Sequence, residues 1–332
     1  MKIAFVEIKK EEQAYFKDRL KKHSLIFFEE TANTVNPSKL KDVEILSPFI
    51  YSKVDADLIS KMPKLKAVVT RSTGFDHVNL DECKKRGIKV GNVPFYGDNT
   101  VAEHTFALIL SLSRNVHKSH VRTLGENFTI EGLQGFDLKG KTLGVIGVGH
   151  IGLHVIRIAK GFGMHVKAYD ANKNVFISEV LHFLYTDLDD LLKNSDIISL
   201  HMPYNKDTHH FLDEKKLAKT KKGVIIINTA RGGLIDTDAL YSYLKKGHIG
   251  GAGLDVIEGE DIIKEEHALL LQNDNTDKLK KLFMDKQIFK MDNVIFTPHN
   301  AFNSREAVLR IFDSTIDNVD ALTDSGEVKY KV

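Results

Sequence analysis

A glycine-rich stretch between an apolar strand pattern and a helical pattern constrains this chain most. Residues 142–146 read Thr-Leu-Gly-Val-Ile, and the glycines that follow are Gly147, Gly149 and Gly152. In a turn of this kind, the first glycine permits the tight bend, the second lets the backbone approach a pyrophosphate, and the third lets the helix pack against the strand. The stretch therefore predicts a dinucleotide-binding strand–turn–helix unit.

The next apolar run supports this prediction and indicates which dinucleotide is bound. Residues 165–170 form a second strand pattern that ends in Asp170. An acid about 20 residues beyond the glycines is typical of a carboxylate that binds the ribose hydroxyls of NAD. That carboxylate would repel the 2′-phosphate of NADP, and the next residues, Ala171 and Asn172, supply no arginine to hold one. We therefore expect NAD.

The composition limits the number of domains and the class of protein. The 332 residues suffice for two domains, and 42% hydrophobic with 28% charged residues is ordinary for a globular protein. The formal charge of +2, with lysines spread among acids, does not predict a nucleic-acid surface. No apolar run approaches the roughly 20 residues of a membrane span. A single cysteine, Cys83, in a helical stretch is typical of a packed residue and fits a reducing cytoplasm.

Strand and helix patterns alternate along two stretches, residues 3–93 and 142–299. Alternation of this kind predicts α/β domains with parallel sheets and helices on both faces, here two doubly wound sheets. Between the two stretches we expect one long helix over 101–121 and a glycine-punctuated loop over 125–140. A polar, helical excursion over 258–291 is longer than a usual connection, and its role stays open.

Polar residues stand at the ends of four strand patterns of the second stretch, where an open α/β sheet collects its ligand-binding residues. They are His201, Arg231, Asp255 and His299. The planar fork of an arginine suits a small carboxylate. A histidine suits proton exchange, and a nearby carboxylate such as Glu260 would favour its protonated form. Any one of the four alone is as well explained as a core-edge residue.

Six blocks resemble the signatures of the NAD-dependent D-2-hydroxyacid dehydrogenases, nearly from end to end of the chain. The blocks are Gly147-Val-Gly-His-Ile-Gly152, Asn228-Thr-Ala-Arg-Gly-Gly-Leu-Ile-Asp236, Gly253-Leu-Asp-Val-Ile-Glu258 with Glu260, Thr297-Pro-His-Asn-Ala301, Arg71-Ser-Thr-Gly-Phe-Asp-His-Val78 and Tyr96-Gly-Asp-Asn-Thr-Val-Ala-Glu-His104. Within the family they are most similar to those of the D-lactate dehydrogenases.

The resemblance implies an architecture and a reaction. A Rossmann NAD-binding domain, residues 100–300, would be inserted into a flavodoxin-like substrate domain made of residues 1–99 and 301–332. The implied activity is NADH-dependent reduction of a small 2-oxo acid, pyruvate first, to the D-2-hydroxy acid. The family also implies a homodimer, formed through the cofactor domain and the region around residues 101–121.

The resemblance also assigns roles to residues. Arg231 would hold the carboxylate and carbonyl of the substrate, His299 would give a proton to the carbonyl oxygen, and Glu260 would orient His299. Further substrate contacts would come from Ser72, Thr73, Gly74 and Tyr96. The residues expected to hold NAD are Gly147, Gly149, His150, Ile151, Gly152, Asp170, Met202, Pro203, Thr208, Thr229, Ala230, Arg231 and Asp255. His201 would shape its strand end and not act as the acid.

Other interpretations stay open at this point. Within the family these are a hydroxyisocaproate-type enzyme, a glyoxylate or hydroxypyruvate reductase, and a phosphoglycerate dehydrogenase; outside it, a nicotinamide-responsive corepressor-like binding protein reuses the fold. Asn303 stands where many D-lactate enzymes have a tyrosine, which affects the substrate prediction. No metal is expected, because His209 and His210 have no cysteine or carboxylate at zinc-like spacing, and we interpret them as surface or packing residues.

Overall fold

Two all-parallel sheets form from the short, mostly apolar runs of the sequence. A computed structural model describes residues 1–260 and 276–332, so part of the 258–291 excursion, residues 261–275, lies outside the described residues. The chain divides into two compact units, residues 1–96 with 304–332, and residues 97–303. The predicted α/β fold with two parallel sheets is confirmed.

The first unit contains a five-stranded sheet of order β2-β1-β3-β4-β5. This is the order of flavodoxin-like folds. Its strands are β1 Lys2–Phe5, β2 Ser24–Phe27, β3 Ile45–Ser47, β4 Ala67–Val69 and β5 Lys89–Gly91. Its helices are α1 Lys10–Arg19, α2 Pro37–Leu40, α3 Ala56–Ser60, α4 Leu80–Lys85 and the last helix of the chain, α13 Arg305–Ser325.

An aromatic cluster fastens the last helix to the start of the chain. Phe16 of α1 lies 4.4 Å from Phe5 of β1 and 4.9 Å from Phe312 of α13, measured between ring centroids. Aromatic pairs at such distances add stability beyond the area they bury. Cys83 is also buried in this unit, and burial raises the pKa of its thiol to about 11, which confirms the packed, unreactive residue that the sequence predicts.

The second unit contains a seven-stranded sheet of order β12-β11-β10-β9-β6-β7-β8. The glycine-rich turn leaves β6, the first strand of the unit along the chain, where the strand order reverses, the usual position of a dinucleotide. Its strands are β6 Thr142–Ile146, β7 His165–Tyr169, β8 Leu184–Tyr185, β9 Ile197–Leu200, β10 Val224–Asn228, β11 Ile249–Leu254 and β12 Val294–Phe296. Its helices are α5 Asp98–Ser113, α6 Val116–Leu124, α7 His150–Gly161, α8 Val175–Leu181, α9 Leu188–Asn194, α10 Glu214–Leu217, α11 Thr237–Lys245 and α12 Thr276–Phe289.

Both faces of the second sheet are buried, which explains its continuous apolar strands. Ile225 and Ile227 of β10 belong to one cluster of buried side chains, whereas Ile226 between them belongs to another. Successive side chains of a strand point to opposite faces, so the two clusters are the cores beneath the two helix layers. A parallel sheet covered on both faces has strands of this kind.

The prediction of a single helix over 101–121 is wrong, because the chain forms two helices there, α5 and α6. Asn115 between them adopts a left-handed conformation with φ 51°, which asparagine tolerates better than most residues. Its side-chain amide donates to the carbonyls of Leu133 and Gln134, which fold back against it. The apolar periodicity continues across this break, so the sequence pattern alone does not reveal it.

Candidate active site

Three neighbouring strands bring the predicted catalytic residues to one edge of the second sheet. Strand β11 pairs with β10 on one side and with β12 on the other, all in parallel. Arg231 follows β10, Glu260 follows β11, and His299 follows β12. Parallel strands end at the same edge of a sheet, so the three segments start from adjacent positions.

His299 and Glu260 form a hydrogen-bonded pair. His299 Nδ1 lies 2.6 Å from Glu260 Oε1, and the two side chains are 18% and 26% exposed. An imidazole that donates Nδ1–H to a carboxylate is fixed in orientation and leaves Nε2 for proton exchange. The structure thus provides the arrangement expected of a general acid and its orienting carboxylate.

The backbone at His299 is left-handed, with φ 54°. Conformations of this kind cost energy and persist where the surroundings hold them. The amide of His299 donates to the carbonyls of Thr297 and Asp255, both at 2.9 Å. The carboxylate of Asp255 accepts the amides of Asn300, at 3.0 Å, and Ala301, at 2.8 Å. The loop that carries the histidine is therefore tied to the end of β11.

Asp255, which the resemblance assigns to the cofactor, is fully buried beneath this loop. It also accepts the hydroxyl of Thr297 at 2.5 Å, and that hydroxyl lies 3.0 Å from Nε2 of His104 in α5. A buried carboxylate with several donors holds its neighbours firmly. Its observed contacts make Asp255 a positioning residue for the segment that carries His299. His104 ends the signature-like block that begins at Tyr96, but the sequence-based prediction gave it no role.

Arg231 is held by a buried asparagine at the end of β10. Asn228 is fully buried; its side-chain oxygen accepts the amide of Ala230 at 3.0 Å, and its side-chain nitrogen donates to the carbonyl of Arg231 at 2.9 Å. Nη1 of Arg231 donates to the carbonyl of Ala230 at 2.8 Å. Asn228 has no role in the sequence-based prediction, although an asparagine that ends the apolar run Val-Ile-Ile-Ile is a signal for one.

The glycine-rich turn has the geometry that its sequence predicts. Gly147 has φ 94°, and a Cβ there would meet the carbonyl carbon of His201 at 2.6 Å. A Cβ on Gly152 would lie 2.1 Å from the carbonyl oxygen of Gly147, so the helix packs tightly onto the turn. A Cβ on Gly149, the residue before α7, would meet no atom within 4 Å. The open side of the turn faces the start of α7, where helix amides attract phosphate.

Asp170, which follows β7, binds the main chain of this turn through its carboxylate. Its Oδ2 accepts the amide of Val148 at 2.6 Å, and its Oδ1 accepts the amide of Asn172 at 2.7 Å. The carboxylate is therefore fixed beside the glycine-rich turn, where a ribose is expected next to a pyrophosphate. These residues fit NAD, and the fixed negative charge opposes a 2′-phosphate.

The surroundings of His201 favour its neutral imidazole near neutral pH. Burial lowers the pKa of its imidazole to about 3, and Nε2 lies 2.7 Å from the hydroxyl of Ser199 on the same strand. A group that takes a proton only near that pH is uncharged during catalysis at neutral pH. This burial agrees with the prediction that His201 shapes its strand end and is not the acid.

The remaining residues predicted for the cofactor lie after β9 and β10. Met202, Pro203 and Thr208 belong to the loop after β9, where the hydroxyl of Thr208 donates to the carbonyl of Pro203 at 2.8 Å. Thr229 and Ala230 follow β10, and the hydroxyl of Thr229 lies 2.9 Å from that of Thr105. Both loops start at the edge that carries the glycine-rich turn.

The substrate residues predicted in the first unit lie in the loop after β4 and near residue 96. The hydroxyl of Ser72 donates to the carbonyl of Gly74 at 2.6 Å, and the hydroxyl of Thr73 donates to the carbonyl of Val93 at 2.8 Å. The carbonyl of Tyr96 accepts Nε of Arg310 at 2.6 Å. The 72–74 loop is thus held in a defined shape.

Arg71, immediately before that loop, is a structural residue. It is 3% exposed, and its guanidinium donates to the carbonyls of Ser47 at 2.6 Å, Val6 at 2.7 Å and Glu7 at 2.8 Å. Burial lowers its pKa to about 10, so it stays charged at neutral pH. One side chain therefore joins the ends of three strands of the first sheet.

The second unit matches a known enzyme family over most of its length. Residues 106–301 match the family model of the D-isomer specific 2-hydroxyacid dehydrogenase, NAD binding domain. The chain belongs to this family. The dehydrogenase is therefore an NAD-dependent oxidoreductase, with the nicotinamide as its redox group.

Three relatives are similar over most of their length. A crystal structure of D-lactate dehydrogenase from Aquifex aeolicus, complexed with NAD and lactic acid, is 39% identical, with a TM-score of 0.89 and 98% of each chain covered. D-lactate dehydrogenase of Escherichia coli is 35% identical over 98% of each chain. Glyoxylate reductase of Thermococcus litoralis is 37% identical over 81% of this chain and 77% of its own. In the described residues of the dehydrogenase, no helix has both the length and the apolar character needed to cross a membrane.

Proposed function

We propose that the dehydrogenase reduces pyruvate to D-lactate, with His299 as the proton donor. The observation that carries the proposal is the 2.6 Å pair of His299 and Glu260 at the edge of the sheet that also carries Arg231. Bound NADH would supply the hydride to the carbonyl carbon. The carbonyl oxygen takes the proton from His299, so pyruvate, NADH and one proton give lactate and NAD⁺. Glu260 keeps the imidazole aligned while the proton leaves Nε2.

Arg231 is proposed to bind the substrate. Its planar guanidinium can hold the carboxylate and the carbonyl oxygen together, which fixes the reacting carbon and stabilises the negative charge that develops on the oxygen. The amides of Ser72, Thr73 and Gly74 and the side chain of Tyr96 are proposed to complete the carboxylate site. The hydrogen bonds that Ser72 and Thr73 make within and beside the 72–74 loop support this role.

For the cofactor, the proposal uses groups that the fold fixes in place. The amides of His150 and Ile151 at the start of α7 would hold the pyrophosphate, and Asp170 would hold the ribose. The loop residues proposed to line the rest of the site are Met202, Pro203, Thr208, Thr229 and Ala230. Asp255 would act through the His299 loop, since its carboxylate binds Thr297, Asn300 and Ala301.

Pyruvate is proposed because two of the three relatives described above are D-lactate dehydrogenases that match nearly the whole chain. The test is a steady-state panel of NADH oxidation with pyruvate, glyoxylate, hydroxypyruvate, 2-oxoisocaproate and phenylpyruvate, with NADPH as the cofactor control. We expect the highest kcat/KM with pyruvate and NADH. A clear preference for another acid would contradict the pyruvate assignment and leave the acid and arginine roles intact.

A broader 2-oxo acid reductase is the second candidate, and Asn303 is the observation that favours it. Asn303 follows the His299 loop where many D-lactate enzymes have a tyrosine, and the smaller amide leaves more room. Under this alternative, glyoxylate or a bulky acid is the best substrate, and Asn303→Tyr raises the preference for pyruvate. An unchanged order of substrates in Asn303→Tyr would argue against this residue as the determinant.

We also propose that the dehydrogenase is a homodimer. Four large apolar side chains in and just after α6 are largely exposed, Val121 at 68%, Leu124 at 72%, Phe128 at 78% and Ile130 at 86%. Arg122 ties this loop to the helix by donating to the carbonyls of Thr129 and Glu131. An ordered apolar surface of this kind is typical of a protein interface. Light scattering should give a dimer mass, and a Leu124→Glu, Phe128→Glu double variant should give a monomer.

A further inference from the structure

Two consecutive histidines and a glutamate meet on the second unit, outside the proposed catalytic set. Ligand atoms of His209, His210 and Glu258 all lie within 4.8 Å of one another. His210 Nε2 is 3.0 Å from Glu258 Oε1, and the two imidazole rings lie 3.9 Å apart between centroids. The sequence separates the carboxylate from His210 by 48 residues, so only the fold brings the three together.

The backbone is arranged so that both imidazoles point the same way. His209 and His210 end a hydrogen-bonded turn over 205–210. His210 adopts a left-handed conformation with φ 49°, which costs energy in a residue other than glycine. The amide of His210 donates to the carbonyl of Gly233 at 2.8 Å, and this bond holds the bend. The result is a pair of stacked rings facing one carboxylate.

The chemistry of the three groups suits a transition-metal ion. Two imidazoles and a carboxylate form a common ligand set for zinc, which leaves a fourth position for water. Ligands of one tetrahedral zinc ion lie roughly 3.3 to 3.6 Å apart, given metal–ligand distances of roughly 2.0 to 2.2 Å. The observed spacing, up to 4.8 Å, is wider than this, and the two rings are stacked, so an ion would bind after one imidazole turns out of the stack. The hydroxyl of Tyr204, 3.1 Å from Nδ1 of His209, supports one of the rings from behind.

The cluster joins two segments of the proposed active site. His209 and His210 end the loop that carries Met202 and Thr208, while Glu258 precedes Glu260 in the turn after β11. Gly232 packs so closely on this turn that a Cβ would lie 2.0 Å from the carbonyl carbon of Ile257. An ion at the cluster would therefore fasten the loop after β9 to the turn that carries the orienting carboxylate.

We propose that His209, His210 and Glu258 form a binding site for a divalent transition-metal ion of the zinc class. This site is separate from hydride transfer, in which the nicotinamide needs no metal. Its role is to clamp the two segments together. Because the ion binds the folded chain, it raises the stability of the protein, and the gain increases with the logarithm of the free ion concentration once that exceeds the Kd.

The test measures Zn²⁺ binding to the metal-free, full-length protein by competition with a chromophoric chelator, together with the melting temperature. We expect one Zn²⁺ per chain and a higher melting temperature in its presence. Mg²⁺ at the same concentration should give no shift, because it prefers oxygen ligands. His209→Gln and Glu258→Gln should each weaken Zn²⁺ binding at least ~10-fold, the loss that removal of a supporting residue alone can cause.

The control variant is His165→Gln, which removes an exposed histidine at the start of β7, away from the cluster in sequence. It should bind Zn²⁺ as the unaltered protein does. Circular dichroism and NADH binding establish that each variant is folded. Absence of stoichiometric binding, equal binding in the His209 and Glu258 variants, or an equal shift with Mg²⁺ would each overturn the proposal.

Discussion

In each of the two sheets of this dehydrogenase, one strand is followed by an arginine, and the two arginines have different surroundings. Arg71 follows β4 in the first unit and is 3% exposed, with its guanidinium bonded to three main-chain carbonyls from two other strand ends. Arg231 follows β10 in the second unit, is only partly buried, and is held through its own main chain by Asn228.

A charged residue at the end of a strand is therefore not by itself a site. Both arginines follow an apolar strand and precede small residues, Ser-Thr-Gly in one case and Gly-Gly in the other. The two arginines differ in how deeply the side chain is buried and in which groups the guanidinium contacts. The guanidinium of Arg71 joins β1, β3 and β4 inside the first unit, whereas Arg231 stays partly exposed on a turn whose shape Asn228 maintains.

The largest effect should come from His299, the proposed acid at the functional end of the second sheet. His299→Ala removes the proton donor, so turnover should fall roughly 10²- to 10⁴-fold, the usual contribution of general acid catalysis. NADH binding, followed by fluorescence, should persist. His165→Ala, an exposed histidine on the same sheet, is the control and should keep full turnover. Retained turnover in His299→Ala would refute the assignment.

Matched substitutions of the two arginines test the comparison directly. Arg71→Met removes the guanidinium donor from the carbonyls of Val6 and Glu7 and leaves that of Ser47 only the amide of Val6, so it should lower the free energy of unfolding by about 3–5 kcal/mol. Arg231→Met should lower that free energy less than Arg71→Met, because Arg231 is only partly buried, and should lower kcat/KM for pyruvate at least ~100-fold, through lost charged hydrogen bonds. Urea unfolding and steady-state kinetics on both variants separate the two results. Similar losses of stability in the two variants would contradict the assignment of a structural role to Arg71 and a substrate-binding role to Arg231.

Glu260 should have a smaller effect, because it acts through His299. Glu260→Gln keeps a hydrogen-bonding side chain near Nδ1 but removes the negative charge 2.6 Å away. We expect kcat to fall ~10- to 100-fold, about the effect of losing an orienting partner, with little change in the KM for NADH. A change confined to the KM for NADH would place Glu260 on the cofactor side.

The smallest effect concerns stability in acid and depends on His201. Its pKa is about 3 in the folded protein, against roughly 6.5 in an unfolded chain. Between these values only the unfolded chain binds the proton, so the free energy of unfolding decreases as the pH falls below about 6.5. The decrease from pH 7 to pH 5 should be about 1–2 kcal/mol for this residue.

His201→Gln should remove that share of the acid sensitivity. Urea unfolding of the variant and of the unaltered protein at pH 7 and pH 5 measures it. An equal decrease in both proteins would mean that other groups account for the whole acid dependence.

Local patterns predicted much of the fold and part of the proposed site. The glycine-rich turn, the second strand that ends in Asp170 and the apolar strands of the second sheet are all determined by near neighbours in sequence. The expectation that Arg231, Glu260 and His299 follow strands of one sheet needed only the rule that parallel strands end at a common edge. The observed strand order then puts those three strands side by side.

The features that the sequence did not predict depend on contacts between residues distant along the chain. The break at Asn115 is set by carbonyls of the 133–134 loop. The positioning role of Asp255 depends on donors in the 297–301 loop, which follows the next strand. The contact between Glu258 and His210 also could not be predicted, because no rule of sequence spacing relates residues 48 positions apart.

The contact of Gly232 with the turn after β11 also has a consequence for anyone who redesigns this enzyme. Even one methyl group at position 232 would collide with the main chain at Ile257 and Glu258. If a mutant library randomises the neighbours of Arg231, most substitutions of Gly232 will therefore give proteins that misfold or in which this turn is displaced. Asn303 and Tyr96, which are proposed to affect the choice of substrate, are the positions at which to vary this enzyme for new substrates.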